Sequence, residues 1–127
     1  MTATTALSKG DLPDAWEKGE PEPLDPEYAS RVAELKASGP GWAAFYDRAA
    51  RGIAGAPDLA ELKERHTQLL GRERGRVTER LAKLPDLPPE QRKTNGRALN
   101  LIKRWLTELE EAKRRALEQA AEARAAA

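Results

Sequence analysis

The apolar residues in the second half of the chain follow a helical spacing. From Asp58 to Leu84 they recur at alternating intervals near three and four, which places them on one face of an α-helix. The positions are Leu59, Leu62, His66, Leu69, Val77, Leu81 and Leu84. Gly71 and Gly75 interrupt this stripe, and each interior glycine costs about 1 kcal/mol relative to alanine. The pattern predicts one long helix with a kink or bulge near 71–75.

A second long helix is predicted after a turn at Leu84 to Pro88. Pro88-Pro89-Glu90 begins it, since proline fits the first helical turn, where its missing amide has no partner to lose. Its apolar seam is Leu99, Ile102, Trp105 or Leu106, Leu109, Ala112, Ala116 and Ala120. The two stripes would bury each other in an antiparallel hairpin over residues 57–127. The seam shrinks to alanine, so we expect looser packing toward the C-terminus unless another protein covers it.

Two shorter helices are predicted over residues 25–56. The first begins at Asp25-Pro26-Glu27, a capping acid followed by proline, and runs to Ala37. The second runs from Trp42 to about Ile53. β-Branched residues are few and never cluster, so no strand is predicted. The fold class is therefore all-α: a long antiparallel two-helix coiled-coil hairpin with two short N-terminal helices near its open end.

Residues 1–24 are predicted to be an irregular acidic segment, punctuated by proline and glycine. Their composition suggests that they cannot bury enough apolar surface to become ordered. Trp16 is the exception, and it either packs onto the helices or anchors a short docking motif. Residues 1–10 lack the charged start and apolar stretch of a signal peptide.

The composition argues against catalysis. The 127 residues include no cysteine and one histidine, which excludes a thiol nucleophile and a thiolate metal site. That histidine, His66, lies on the predicted apolar seam, where a structural role is expected. There is no phosphate-binding loop, and the acidic residues are typical of solvated helix surface. We therefore predict no enzyme, catalytic residue, metal, cofactor or small-molecule substrate. No apolar run reaches the roughly 20 residues of a membrane span, so a cytoplasmic protein is expected.

The net charge of +1 conceals a segregation of charge along the chain. Residues 1–62 carry a net charge of −5, residues 63–104 of +7, and residues 105–127 of −1. The candidate RNA-binding residues lie on both limbs of the predicted hairpin: Arg72, Arg74, Arg76, Arg80, Lys83, Arg92, Lys93, Arg97, Lys103 and Arg104. Pairing about the turn would bring residue 80 opposite residue 92, so the two sets should converge on one surface.

Arginine suits phosphate because its planar fork donates two parallel hydrogen bonds. Such contacts hold a nucleic-acid backbone without reading bases. Aromatic residues for base stacking are missing from this surface, except for Trp105, which favours structured RNA over single strands. The alternative, that any long helix needs charged faces for solubility, remains open at this point.

The run LPPEQRKTNGRALNLIK at 87–103 resembles the second arm helix of bacterial phenylalanyl-tRNA synthetase alpha subunits. The segments 58–62, 69–72 and 109–117 are also similar to that arm. The resemblance implies an N-terminal antiparallel coiled coil that projects from the enzyme and binds tRNA. Basic sites of the arm match Arg72, Arg74, Arg92, Lys93, Arg97 and Lys103.

Three features depart from that family. The motif Gly71-Arg72-Glu73-Arg74-Gly75 is one residue longer than the family's, which would rotate the downstream residues by about 100° unless a bulge absorbs it. Residues 1–40 have no recognised counterpart. The class II catalytic domain that comes next in the family is absent from this sequence, so we do not expect aminoacylation.

Three hypotheses therefore remain. The first is non-catalytic binding of structured RNA, above all tRNA. The second is a coiled-coil protein–protein adaptor or a homodimer, in which Trp105, Leu109 and the alanine-rich end from Ala112 dock a partner helix; a synthetase or another coiled-coil protein would be the partner. The third is regulation, in which the acidic segment 11–27 folds over the basic rod and mimics phosphate.

Overall fold

The computed structural model describes residues 7–126, and within that range the protein is entirely helical. The α-helices are α1 (Tyr28–Ser38), α2 (Pro40–Ala54), α3 (Leu59–Leu70), α4 (Arg76–Ala82) and α5 (Pro89–Ala126), with short 3₁₀ turns at Lys9–Asp11, Asp14–Lys18 and Leu84–Asp86. The all-α prediction is confirmed. The part of the predicted acidic segment that covers residues 1–6, and residue 127 of the predicted hairpin, lie outside the described residues.

Helix α5 is the longest helix, and the other α-helices pack against it. Its 38 residues extend about 57 Å at 1.5 Å per residue. One side of it is buried and carries Ala98, Leu99, Ile102, Trp105, Leu106 and Leu109. All four other helices contact α5. Helix α1 lies along residues 97–108 of α5, where Glu34 pairs with Arg97 and Arg31 with Glu108, and α2 contacts the same stretch through Tyr46 and Trp105. They were expected at the open end of the hairpin, and that expectation is wrong.

The predicted outgoing helix is two helices, so the expectation of one continuous rod is also wrong. The break covers 71–75, where the glycine spacing had predicted the weakest point. The Gly75 amide donates to the Gly71 carbonyl at 3.2 Å, closing a tight loop. A Cβ at Gly75 would lie 2.5 Å from the Gly71 nitrogen, so only glycine permits this approach. Helix α3 before this loop and helix α4 after it both contact α5.

Residues 7–24 form part of the core, contrary to the expectation that they cannot become ordered. Leu7, Leu12 and Trp16 are each at most 5% exposed. The Trp16 ring covers Gly52 on α2, where even a Cβ would lie 2.3 Å from the indole. The Arg65 guanidinium stacks over the same ring, 5.6 Å from its centroid. Three large apolar side chains thus outweigh the polar composition that argued for disorder.

Arg48 on α2 holds residues 9–17 against the helix through hydrogen bonds and ion pairs. Its guanidinium is buried and donates to the carbonyls of Lys9 at 3.0 Å and Leu12 at 3.3 Å. It also forms ion pairs with Asp14, at 2.9 Å, and with Glu17. A buried charge is tolerated only where partners replace its hydration, and the segment supplies those partners.

Arg31 joins α1 to α5. It forms ion pairs with Asp25 at 3.1 Å and Glu108 at 2.9 Å, and it lies over the Trp105 ring at 5.2 Å. Tyr46 packs edge-on against the same indole, with a centroid distance of 5.7 Å. Trp105 is therefore buried within its own chain, as is Leu109. Neither is available to dock a partner helix, which corrects the adaptor hypothesis in its original form.

Candidate nucleic-acid interface

Nine of the ten predicted basic residues are exposed, and Arg80 is partly exposed. All ten can reach solvent, as contact with a polyanion requires. They do not, however, lie on one surface. The packing of α4, α5 and residues 7–24, which we call the N-terminal segment, divides them into three groups.

The first group consists of Lys93, Arg97 and Arg104, and it lies with Asn100 on what we call the outer face of α5. Intervals of four, three and four residues keep these side chains on one side of a helix, and that side lies opposite the buried Ala98 and Ile102. From residue 93 to residue 104 the face extends about 17 Å. Asn100 was not among the predicted residues, although its spacing from Lys93 was visible in the sequence.

The charges of the outer face are largely uncompensated. Arg97 lies 3.6 Å from Glu34, and both side chains are well exposed, so this pair holds the arginine only weakly. Neither Lys93 nor Arg104 forms an ion pair with any other residue from 7 to 126. Their positive charge is therefore free to attract an external anion.

The second group surrounds the turn between α4 and α5 and consists of Lys83, Arg92 and Lys103. Arg92 donates to the carbonyls of Leu87 at 2.9 Å and Pro85 at 3.5 Å, so its guanidinium holds the turn. Lys103 is eleven residues beyond Arg92, three helical turns, and projects on the same flank of α5. This group adjoins the outer face.

The third group lies on α4 and the loop before it. Arg72 and Arg74 are exposed on the loop. The Arg76 Nε donates to the Asp11 carbonyl at 3.3 Å, and the Arg80 guanidinium lies 3.9 Å from the Asp11 carboxylate. Arg76 and Arg80 thus face the N-terminal segment and do not join the outer face of α5. The predicted convergence of all ten cations overlooked that segment, whose Asp11 gave no distinguishing signal in the sequence.

Other kinds of site are not evident in residues 7–126. Within them no group of three or more histidine, aspartate or glutamate side chains is placed to hold a metal ion. None of the helices in this range combines the length and apolar character needed to cross a membrane. His66 is half-buried beside a shallow groove lined by Leu59, Glu110 and Glu118, in keeping with a structural role.

Comparison with known proteins identifies relatives of the second half of the chain. Residues 57–126 match the family model described as the aminoacyl tRNA synthetase class II N-terminal domain. The match begins just before α3 and ends with α5, so the N-terminal segment, α1 and α2 precede it.

Individual relatives include phenylalanine–tRNA ligase alpha subunits from two strains of Nitratidesulfovibrio vulgaris, DP4 and DSM 19637 / Miyazaki F. They are 45% and 44% identical over 75 residues, which is 59% of this chain and 21% of each relative. The alpha subunit from Rhodospirillum centenum is 38% identical over 69 residues, covering 54% of this chain and 19% of the relative. The chain therefore spans about a fifth of the length of these curated relatives. No solved structure matches.

Proposed function

Because the chain belongs to the family of N-terminal domains of class II aminoacyl-tRNA synthetases, we propose that it binds structured RNA, above all tRNA, without catalysing a reaction on it. In this proposal the antiparallel limbs formed by α3–α4 and α5 act as an arm, and the outer face of α5 makes the principal contact. The names of the matched relatives give tRNA as what those proteins ligate. The protein would work in the cytoplasm, where tRNA is used.

One observation carries the proposal: the uncompensated cations of the outer face. The segment that supplies them, residues 63–104, has a net charge of +7. Lysine and arginine that lack an intramolecular partner attract phosphate at long range and release condensed counterions on contact. Lys93 and Arg104 meet this condition within residues 7–126, and Arg97 lies between them.

The shape of the face favours a folded RNA over a single strand. The face is one side of a helix and is convex, and Trp105, the aromatic residue nearest to it, is buried. Without an exposed ring there is no platform for base stacking. Cations spaced along one side of a helix suit the phosphate backbone of a double-helical or tertiary RNA surface.

The exposed C-terminal end of α5 favours a second candidate function, the binding of another protein. Residues 118–126 of α5 are exposed throughout, and Leu59, at the start of α3, is 44% exposed close to Glu118. This end would suit a synthetase or another coiled-coil protein. Sedimentation of the purified chain distinguishes self-association, which gives a dimer at micromolar concentration, from a partner of a different kind, which leaves a monomer.

The test measures the affinity for fluorescently labelled tRNA by anisotropy. The variant Lys93→Glu with Arg104→Glu should bind about thirtyfold more weakly, about 1 kcal/mol for each lost contact. The matched control is Lys36→Glu with Lys63→Glu, which makes the same change in charge at exposed lysines of α1 and α3. It should retain most of the affinity.

Salt dependence gives a second criterion. The affinity of the wild-type protein should fall steeply as salt rises, and the Lys93/Arg104 variant should show a shallower slope, by about one per lost phosphate contact. Equal weakening by the control pair, or binding that ignores salt, would contradict the proposal. Unchanged far-UV circular dichroism establishes that the variants remain helical.

A further inference from the structure

We propose that the N-terminal segment competes with phosphate at Arg76 and Arg80, so that the chain binds RNA more weakly than its basic residues alone would allow. The inference rests on the proposed function. It concerns residues 7–18, which precede the part of the chain that matches the synthetase family. The competitor is therefore an addition to the family domain and not a part of it.

The contacts resemble those that a phosphate would make. The Nε of Arg76 donates to the carbonyl oxygen of Asp11 at 3.3 Å, and the Arg80 guanidinium lies 3.9 Å from the Asp11 Oδ1. Arginine would present the same donors to the oxygens of a phosphodiester. The carbonyl and the carboxylate of Asp11 thus occupy Arg76 and Arg80, two of the ten candidate RNA-binding residues.

The position of Asp11 is fixed by the fold and not by attraction to the arginines. Its second carboxylate oxygen, Oδ2, accepts a hydrogen bond from the Ser8 amide at 2.8 Å. Arg48 donates to the carbonyls of Lys9 and Leu12 on either side of it. The buried Trp16 anchors the next turn on α2. A charge held in this way costs no further ordering when it meets Arg80, so it competes efficiently with a mobile ligand.

The contact between Asp11 and Arg80 can be removed without unfolding the protein. The side chains of Arg80 and Asp11 are 25% and 28% exposed, so solvent and salt screen their attraction. Such a pair adds little to stability. Removing the charge of Asp11 should therefore change RNA binding without unfolding the protein, whereas deleting the segment would take Leu7, Leu12 and Trp16 out of the core.

The decisive variant is Asp11→Asn, whose side-chain oxygen can still accept from the Ser8 amide. We expect tRNA to bind about fivefold more tightly, with a salt slope steeper by about one, because Arg80 then gains a phosphate contact. The matched control is Glu22→Gln, which removes one negative charge from the same acidic stretch. Glu22 lies beside Arg51 and not beside Arg76 or Arg80, so its substitution should change affinity far less.

A double-mutant cycle isolates the contact. Arg80→Gln alone should leave affinity unchanged, because Asp11 already occupies that arginine. In the Arg80→Gln background, Asp11→Asn should no longer tighten binding. The Arg80→Gln measurement in the otherwise wild-type protein also tests the proposal without relying on how well Asp11→Asn folds.

The possible failures are distinguishable. If the wild-type protein does not bind tRNA at low salt, the proposed function fails and this inference fails with it. If the wild type binds but Asp11→Asn matches Glu22→Gln, the competitor is refuted while RNA binding stands. A marked loss of affinity from Arg80→Gln alone would also refute it, because Arg80 would then already contact RNA.

Discussion

Gly52→Ala should destabilise this protein, although the same change in a helix interior normally stabilises one. Gly52 lies within α2, and its missing side chain leaves room for the indole of Trp16. A Cβ there would lie 2.3 Å from the Trp16 Cε3 and 2.5 Å from its Cδ2. All three of the nearest atoms that the Cβ would meet belong to this one side chain.

Two opposing contributions decide whether Gly52→Ala raises or lowers the free energy of unfolding. Replacing glycine by alanine within a helix gains about 1 kcal/mol of helix propensity. Against this gain, overpacking at 2.3 Å from a tryptophan that is 4% exposed and must move costs about 2–3 kcal/mol, the upper part of the usual range. We therefore expect a net loss of about 1–2 kcal/mol in the free energy of unfolding. If Trp16 is first replaced by alanine, the clash disappears and the propensity gain of about 1 kcal/mol should remain.

Urea denaturation monitored by far-UV circular dichroism measures all four proteins of this cycle. Trp16→Ala alone should cost about 3–5 kcal/mol, the usual cost of truncating a buried tryptophan. The coupling between the two positions should be about 2–3 kcal/mol, the difference between the two effects of Gly52→Ala. If Gly52→Ala stabilises the wild-type protein, or acts equally in both backgrounds, Trp16 does not pack on α2 and the N-terminal segment is not part of the core.

Two further predictions concern the ion pairs that hold the fold together. The hydrogen bond from Arg48 lowers the pKa of Glu17, so the folded-state value lies below the unfolded one. The pair therefore stabilises the protein above the unfolded-state pKa, and this stability is lost as pH falls through the folded-state value. A pH series of denaturation midpoints should accordingly show a shallower acid decline for Glu17→Gln than for the wild type. Arg31→Met removes the ion pair with Glu108 and two others, and it should lower the free energy of unfolding by about 1–3 kcal/mol in the same denaturation assay. The control, Lys36→Met on the exposed side of α1, should change it by less than about 0.5 kcal/mol.

The helices were predictable because their signals are local. Proline at 89 lies at the first position of α5, as predicted, and the apolar spacing of α5 marked the side that is buried. Pro40 also begins a helix, α2, although the predicted start was Trp42. The weak point at 71–75 could be derived from glycine propensity alone. Propensity could not tell a kink from a complete break, since that depends on whether α4 gains enough contact with α5 after the loop.

The N-terminal segment shows where local reasoning failed. Its acidic, proline-rich composition predicts disorder, yet Leu7, Leu12 and Trp16 pack on α2. That packing needs a glycine at position 52 and an arginine at position 48, more than 30 residues away along the chain. No local pattern connects them.

The lack of a local signal for contacts between distant residues also explains why the division of the basic residues was not predicted. Sequence reasoning assigned Lys93, Arg97 and Arg104 to the second long helix, and helical spacing puts them on one side of α5. It had no means of placing Asp11 beside Arg76 and Arg80. Predicting the contact of two helices from their apolar stripes is possible, whereas predicting what covers their polar sides requires the rest of the fold.

Lysine footprinting tests the proposed interface most directly. The wild-type protein would be acetylated under limiting reagent, with and without tRNA, and the modification of each lysine measured by mass spectrometry. Lys93 should be strongly protected by tRNA, while Lys18 in the N-terminal segment and Lys36 on α1 should be modified equally in both samples. Protection of Lys18 and Lys36 with Lys93 left reactive, or no protection at any lysine, would contradict binding of RNA on the outer face of α5.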